Sequence, residues 1–276
     1  MSGGASVAAL SWAALDPTIL WPAFVAGLLV LLTHVPLGMQ VLQRGIVFID
    51  LAIAQIAGIG VIAADALGWP TSGWAGQAAA AGAALGGALL LTWTERRWPE
   101  IQEALIGVSF VLASCLGLLL LASHPHGGEH LKDLLVGQIL WVTPAQLGVM
   151  AGLTLPILAI WVAAGERLGR LGFYLLFALA VTASVQLVGV YLVFASLILP
   201  ALATRRQHGR RRMAVALGLG AAAYALGLAL SALLDAPSGA VVVLVMALLA
   251  ALVAALEARL PAADADRQPL PASGGR

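Results

Sequence analysis

The sequence predicts an all-α, polytopic membrane protein of about nine transmembrane helices, eight to nine by the apolar runs. Three observations carry this: an excess of apolar residues, their grouping into runs of spanning length, and the collection of arginine on alternate connections. Hydrophobic residues make up 61% of the 276 residues and charged residues 10%, with a mean hydropathy of +0.99. A water-soluble domain carries about a quarter charged residues, because its surface must be solvated. A chain this poor in charge has lipid as its solvent. The net charge of +1 is uninformative, and its placement is what matters.

Taken in order, the apolar runs occupy 18–42, 46–66, 75–94, 104–122, 145–164, 172–188, 190–203, 213–234 and 239–256. Each approaches the length needed for a hydrocarbon core of about 30 Å. The sixth and seventh are the shortest and meet at Gly189, so they are either two full spans or a broken pair. With the N-terminus outside, the inside segments are 43–45, 95–103, 165–171, 204–212 and the stretch after 257. Arg44, Arg96, Arg97, Arg167, Arg170, Arg205, Arg206, Arg210, Arg211, Arg212, Arg259, Arg267 and Arg276 all lie there. Lys132 alone, of the 14 lysines and arginines, falls outside. Basic residues accumulate on the cytoplasmic side of membrane proteins, so the C-terminus is expected inside. The predicted organisation is a periplasmic N-terminal segment 1–17, a transmembrane domain 18–257 and a flexible cytoplasmic tail 258–276 rich in Pro, Ala, Asp and Gly. A bacterial inner membrane is the expected location.

Several function classes are disfavoured by what the chain carries. The first sixteen residues have no basic residue and do not read as a cleaved signal peptide. Cys115 is the single cysteine, which excludes a disulfide framework. No charge run suggests nucleic acid as a partner. No GxxxxGK[ST] string is present, and the sole lysine, Lys132, sits in an external loop, so the chain cannot cradle ATP phosphates. Neither HExxH nor GxSxG occurs. No catalytic residues are expected.

Polar residues at membrane depth are costly and mark candidate function. His34, Asp50 and Gln55 fall within the first two spans. Counting from the turn near 43–45 places His34 and Asp50 at similar depth, where they could pair structurally or both face a central path. Imidazole and carboxylate suit a borderline divalent ion such as zinc. Gln55 lies about 140° from Asp50 around the helix and need not share its face. A second cluster, His124, His126, Glu129 and His130, lies in the external loop 123–133. That loop could collect metal, or serve only as a solvated or partner-facing segment. Gln186 and Ser184 beside the Gly189 break form a third polar group, where a broken helix would expose backbone.

Three strings carry a family resemblance. Residues 42–60, Leu-Gln-Arg-Gly-Ile-Val-Phe-Ile-Asp-Leu-Ala-Ile-Ala-Gln-Ile-Ala-Gly-Ile-Gly, resemble the hairpin of the zinc/manganese-type ABC permeases. Residues 134–143 are similar to that family's re-entrant LLxGxIL element, and 188–201 to its VGxLLVxALLxxPA signature. The resemblance implies a permease that pairs with a second copy and receives a divalent metal as substrate from a periplasmic binding protein. A separate cytoplasmic ATP-binding subunit would power it, and no cofactor is expected to be bound permanently.

The resemblance also places an ATPase-coupling segment at 165–173, with Glu166, Arg167, Leu168, Gly169 and Arg170 as its candidate residues. Charged groups on a short inside segment suit a salt-bridged docking element. One departure stands out. Many members carry Asp-x-x-x-His in the second span, and here those positions hold Leu51 and Gln55. Zinc is the expected substrate, with manganese or iron as alternatives. An ion-gradient-driven secondary transporter is the competing class. It would need acidic residues along a proton route, of which only Asp50 is deep. A membrane enzyme using His34 and Asp50 as an acid–base pair is a third reading.

Overall fold

The computed structural model describes residues 15–69, 74–121, 137 and 139–259. Nine α-helices lie among them: α1 Pro17–Arg44, α2 Ile49–Ala66, α3 Trp74–Arg97, α4 Gln102–Leu121 and α5 Pro144–Ala164, then α6 Gly169–Val188, α7 Val190–Ala203, α8 Gly209–Leu234 and α9 Ser238–Arg259. No strand occurs among the described residues. Seven helical segments have the length and hydropathy to cross a membrane; α2, with 18 residues, and α7, with 14, are the other two helices. Each apolar run in the sequence corresponds to one helix. The first fourteen residues, the loop 123–133 and the stretch after 259 lie outside the described residues.

Local chemistry sets the boundaries. Asp16 caps α1 by accepting hydrogen bonds from the Thr18 amide at 2.8 Å and the Thr18 hydroxyl at 2.7 Å. Pro17 follows at the first helical position, where its missing N–H costs nothing. At the other end Gly45 turns into the left-handed region, with φ 69°. Its amide and that of Ile46 then reach the carbonyls of Leu42 and Val41. The residues 45–48 therefore form a turn, and α2 starts at Ile49 rather than at 46 as the apolar pattern suggests.

The core is built on α1, α6 and α7. α1 packs against α5, α6, α7 and α8, and α7 against α1, α8 and α9. α2, α3 and α4 form a second group joined to this core through α6. Small residues allow these approaches. A Cβ on Gly38 of α1 would collide with the Leu197 carbonyl of α7, and one on Gly27 with the Tyr224 ring of α8. Gly220 of α8 faces Leu31 in the same way. The pairings 27–224 and 31–220 run in opposite senses, so α1 and α8 are antiparallel. Lipid offers no hydrophobic drive between helices, and close packing of this kind must supply the cohesion.

Gly189 separates α6 from α7 with φ 80° and ψ 159°, a region essentially restricted to glycine. Its amide donates to Val185 at 2.9 Å and its carbonyl accepts from Val193 at 3.1 Å, so one residue closes α6 and opens α7. Gly137 sits against this break: a Cβ there would strike the Val188 carbonyl and the Gly189 nitrogen. The 3-10 turn Ile139–Trp141 continues beside α1, with Ile139 buried.

Contacts at the helix ends gather the described arginines on one side of the bundle. Arg44 stacks over Phe173 at 4.2 Å, Arg170 lies 3.8 Å from Glu95, and the Gln207 amide bonds to Glu257. These join the end of α1, the end of α3, the start of α6, the α7–α8 turn and the end of α9. Trp93 and Trp98 lie at that side; Trp21, Trp69, Trp74 and Trp141 lie at the other, and all six are exposed or nearly so. Two tryptophan belts at opposite ends of an apolar bundle match the two interfaces of a bilayer.

Replacing Gly38 by alanine should overpack the α1–α7 contact by about 1–3 kcal/mol. The expected result is a lower thermal unfolding midpoint for detergent-purified protein, whereas Gly82→Ala, with nothing within 4 Å of a Cβ, should leave it unchanged.

Candidate functional site

His34 lies in α1, completely buried, one turn before the Gly38 approach to α7. Its Nδ1 is 3.0 Å from the Val30 carbonyl and 3.0 Å from the Thr33 hydroxyl. A carbonyl can only accept, so the tautomer that makes the Val30 contact a hydrogen bond carries its hydrogen on Nδ1. That leaves Nε2 with a free lone pair, the form in which an imidazole ligates metal. Nε2 is buried with no hydrogen-bond partner. A buried polar atom left unsatisfied costs about 1–3 kcal/mol, so this nitrogen is an expensive feature that packing alone does not explain.

Asp50 is also buried, in the first turn of α2. Its Oδ1 accepts the Leu51 amide at 2.8 Å, and the positive end of the helix favours a negative charge there. No hydrogen bond or ion pair joins Asp50 to His34. The late start of α2 explains the separation. His34 is ten residues from the end of α1, about 15 Å along its axis, whereas Asp50 is one residue from the start of α2. His34 and Asp50 therefore stand at different positions along their helices, because residues 45–48 belong to the turn. Gln55 is half-buried further along α2. Among the described residues no three His, Cys, Asp or Glu side chains come together as a metal cluster. His124, His126, Glu129 and His130 lie outside the described residues.

A cavity of about 290 Å³ opens between α3, α5 and α6, at the end away from the arginines. Trp74, Gln77, Gln146, Met150, Leu153 and Gln186 line part of it. The Gln186 Nε2 is buried there without a partner. Among the described residues the lining offers neutral amides and no carboxylate or imidazole.

The segment that the sequence predicts for coupling is the 3-10 turn Gly165–Leu168 running into α6 at Gly169. Arg167 and Arg170 are exposed and Leu168 is half-buried. Arg170 reaches toward Glu95 of α3. The side chain of Glu166 is not among those described. Sequence reasoning missed the polar residues behind this segment. Gln102, buried at the start of α4, donates from Nε2 to the Leu91 carbonyl at 3.0 Å and to the Tyr174 hydroxyl at 3.2 Å. Thr94 donates to its Oε1 at 3.0 Å. Deeper in the bundle, Ser196 of α7 and Tyr224 of α8 share a hydrogen bond of 2.9 Å. The signal in the sequence was a tyrosine in each of two spans, Tyr174 and Tyr224, whose hydroxyl needs a partner when buried.

A close-packed helical bundle with arginine at one end, tryptophan at both, a broken helix pair and no nucleotide-binding string is a multi-pass membrane transport subunit. The profile of the ABC 3 transport family matches residues 16–168 and 164–257, and the chain belongs to that family. It is the membrane subunit of such a transporter and does not itself catalyse a reaction. An uncharacterised membrane protein of Synechocystis sp. is 31% identical over 180 residues, covering 57% of this chain. The aligned region spans 64% of that relative's length. In fold the chain is similar to a chain of PsaBC from Streptococcus pneumoniae in complex with Fab, with TM-score 0.69 and 21% identity, covering 85% of this chain and 90% of that one. It is also similar to an inward-facing metal-chelate type ABC transporter, with TM-score 0.61 and 18% identity, covering 86% and 83%.

Replacing His34 by leucine removes one buried unpartnered atom and one hydrogen bond, changes that offset to within about 1 kcal/mol. The thermal midpoint of His34→Leu should therefore lie close to wild type. A drop of more than about 10 °C would assign the ring a fastening role instead.

Proposed function

We propose that the chain is the permease subunit of an importer that takes up a divalent metal ion, zinc in first place and manganese or iron as alternatives. A periplasmic binding protein delivers the ion, a second copy of the chain completes the path, and a separate cytoplasmic ATP-binding subunit supplies the energy. The observation that carries this reading is the buried His34 Nε2, held with its lone pair free in a bundle of the ABC 3 transport family. The name of the metal-chelate type neighbour is in keeping with a metal cargo.

Orientation follows from charge. The end that gathers the described arginines is placed in the cytoplasm of a bacterial inner membrane, with the N-terminus outside. His34 in the middle of α1 and Asp50 in the first turn of α2 act as successive stations rather than one site. His34 offers a nitrogen in the interior, and Asp50 offers a carboxylate near the inner end. Exchange between weak sites suits conduction, because an ion held too tightly does not leave. Arg167 and Arg170, exposed on the inner face, dock the ATPase.

In vesicles or cells carrying the assembled transporter, His34→Ala and Asp50→Ala are each expected to lower metal uptake about tenfold, roughly 1.4 kcal/mol of barrier. Both proteins should still insert in the membrane. Wild-type uptake in both variants would remove the metal path proposed here. Deleting the ATPase should abolish uptake; uptake that survived would favour the gradient-driven reading. Arg167→Ala with Arg170→Ala should weaken capture of the ATPase in a pull-down, and undiminished capture would refute the docking assignment.

A further inference from the structure

Behind the docking segment the structure holds a continuous set of bonds that leads to the base of α2. Arg170 and Phe173 in the first turns of α6 touch Glu95 and Arg44 respectively. Tyr174, the next residue, accepts the hydrogen bond from the Gln102 amide at 3.2 Å. Gln102 is locked on its other sides by Leu91 and Thr94 of α3. Glu103 follows Gln102 directly in the first turn of α4, and its Oε1 accepts the Phe48 amide at 3.3 Å. Phe48 is the N-cap of α2 and supplies no side-chain cap of its own. The cap comes instead from another helix, fifty-five residues along the chain. Asp50 lies two residues further on.

The arrangement differs from ordinary helix fastening in two ways. α1 is capped by its own Asp16, which ties it to nothing else, whereas α2 is capped by a residue whose neighbour grips α6. Glu103 also faces two amides of the turn before α2, those of Phe48 and Val47, so one carboxylate of α4 holds the segment that leads into that helix. We propose that Gln102 and Glu103 form a rigid bracket that carries displacement of the segment 165–174 to the first turn of α2, positioning Asp50. Tyr174 is its input and the Phe48 amide its output. Both are positioning residues rather than ligands. The proposal rests on the reading of 165–170 as the docking element and of Asp50 as a transport station.

Two measurements test it, one of them independent of transport. In the assembled transporter, ions moved per ATP hydrolysed should fall about fivefold or more in Tyr174→Phe and in Glu103→Leu. Glu103→Gln keeps an acceptor oxygen for the Phe48 amide and should stay within about twofold of wild type. Thermal midpoints of Tyr174→Phe and Glu103→Gln should be within about 3 °C of wild type. A wild-type ratio in Tyr174→Phe overturns the relay, as does a Glu103→Gln ratio as low as that of Glu103→Leu. In the purified chain alone, Tyr174→Phe should raise hydrogen–deuterium exchange at residues 48–52 at least about threefold, although the substitution is on another helix. Unchanged exchange there overturns the relay whatever the cargo proves to be. If wild type moves no metal while the exchange effect is present, the importer reading falls and the mechanical link stands.

Discussion

The close approach of α1 to α7 and α8 is the constraint on which the rest depends. In lipid the apolar side chains gain nothing by leaving their solvent, so helices associate only where backbones can come near and dispersion contacts accumulate. Gly27, Gly38 and Gly220 open that space, and Leu31, Leu197 and the Tyr224 ring fill it. The Ser196–Tyr224 hydrogen bond lies in the same layer and satisfies two hydroxyls that lipid could not. Because α1 is fixed there, His34, one turn from Gly38, is sealed away from both solvent and lipid. The same packing that holds the bundle makes this interior imidazole expensive.

That cost, shared with Ser114, Thr182 and Gln186, separates His34 from the interior hydroxyls that bond to their own helix. Thr92, Ser109, Ser184 and Thr204 each donate to the carbonyl four residues earlier in their own helix. Such bonds satisfy a hydroxyl locally and ask nothing of a neighbour. His34 can satisfy only Nδ1 in this way. Among the unsatisfied interior groups of the described residues, His34 is the one whose free atom belongs to an imidazole.

Most of the architecture is legible in the apolar pattern, because spanning length and loss of charge are imposed residue by residue. The runs at 145–164 and 190–203 coincide with α5 and α7 to within one residue. The α6–α7 break is legible too, since Gly189 is the one residue between two short apolar runs. Where the pattern misleads is Ile46–Phe48, apolar residues that a hydropathy reading assigns to the second span. They are instead spent on a turn fixed by the left-handed Gly45. A local capping geometry overrides composition there, and with it goes the matched spacing of His34 and Asp50 from the turn. Gln102 and Glu103 are invisible for a different reason. In sequence they look like polar residues at a cytoplasmic helix start, and only the fold shows that they face Tyr174 and Phe48.

The departure at Leu51 and Gln55 gains meaning from the same turn. A ligand pair four residues apart on α2 would sit one helical turn apart on one face and could hold an ion at a single depth. With leucine and glutamine there, the buried ionisable groups of the first hairpin are Asp50 in the first turn of α2 and His34 about 15 Å along α1 from its C-terminal end. Two single-residue stations bind more weakly than one multidentate site, because each supplies one donor and desolvates the ion less completely. Weak stations need a reason for the ion to advance, and in the path proposed here a carboxylate tied to the segment 165–174 would provide one. Movement at Tyr174 would then change where the inner station stands while the outer, locked by α7 and α8, stays in place. Direction in such a path comes from the asymmetry between a fixed imidazole and a movable carboxylate.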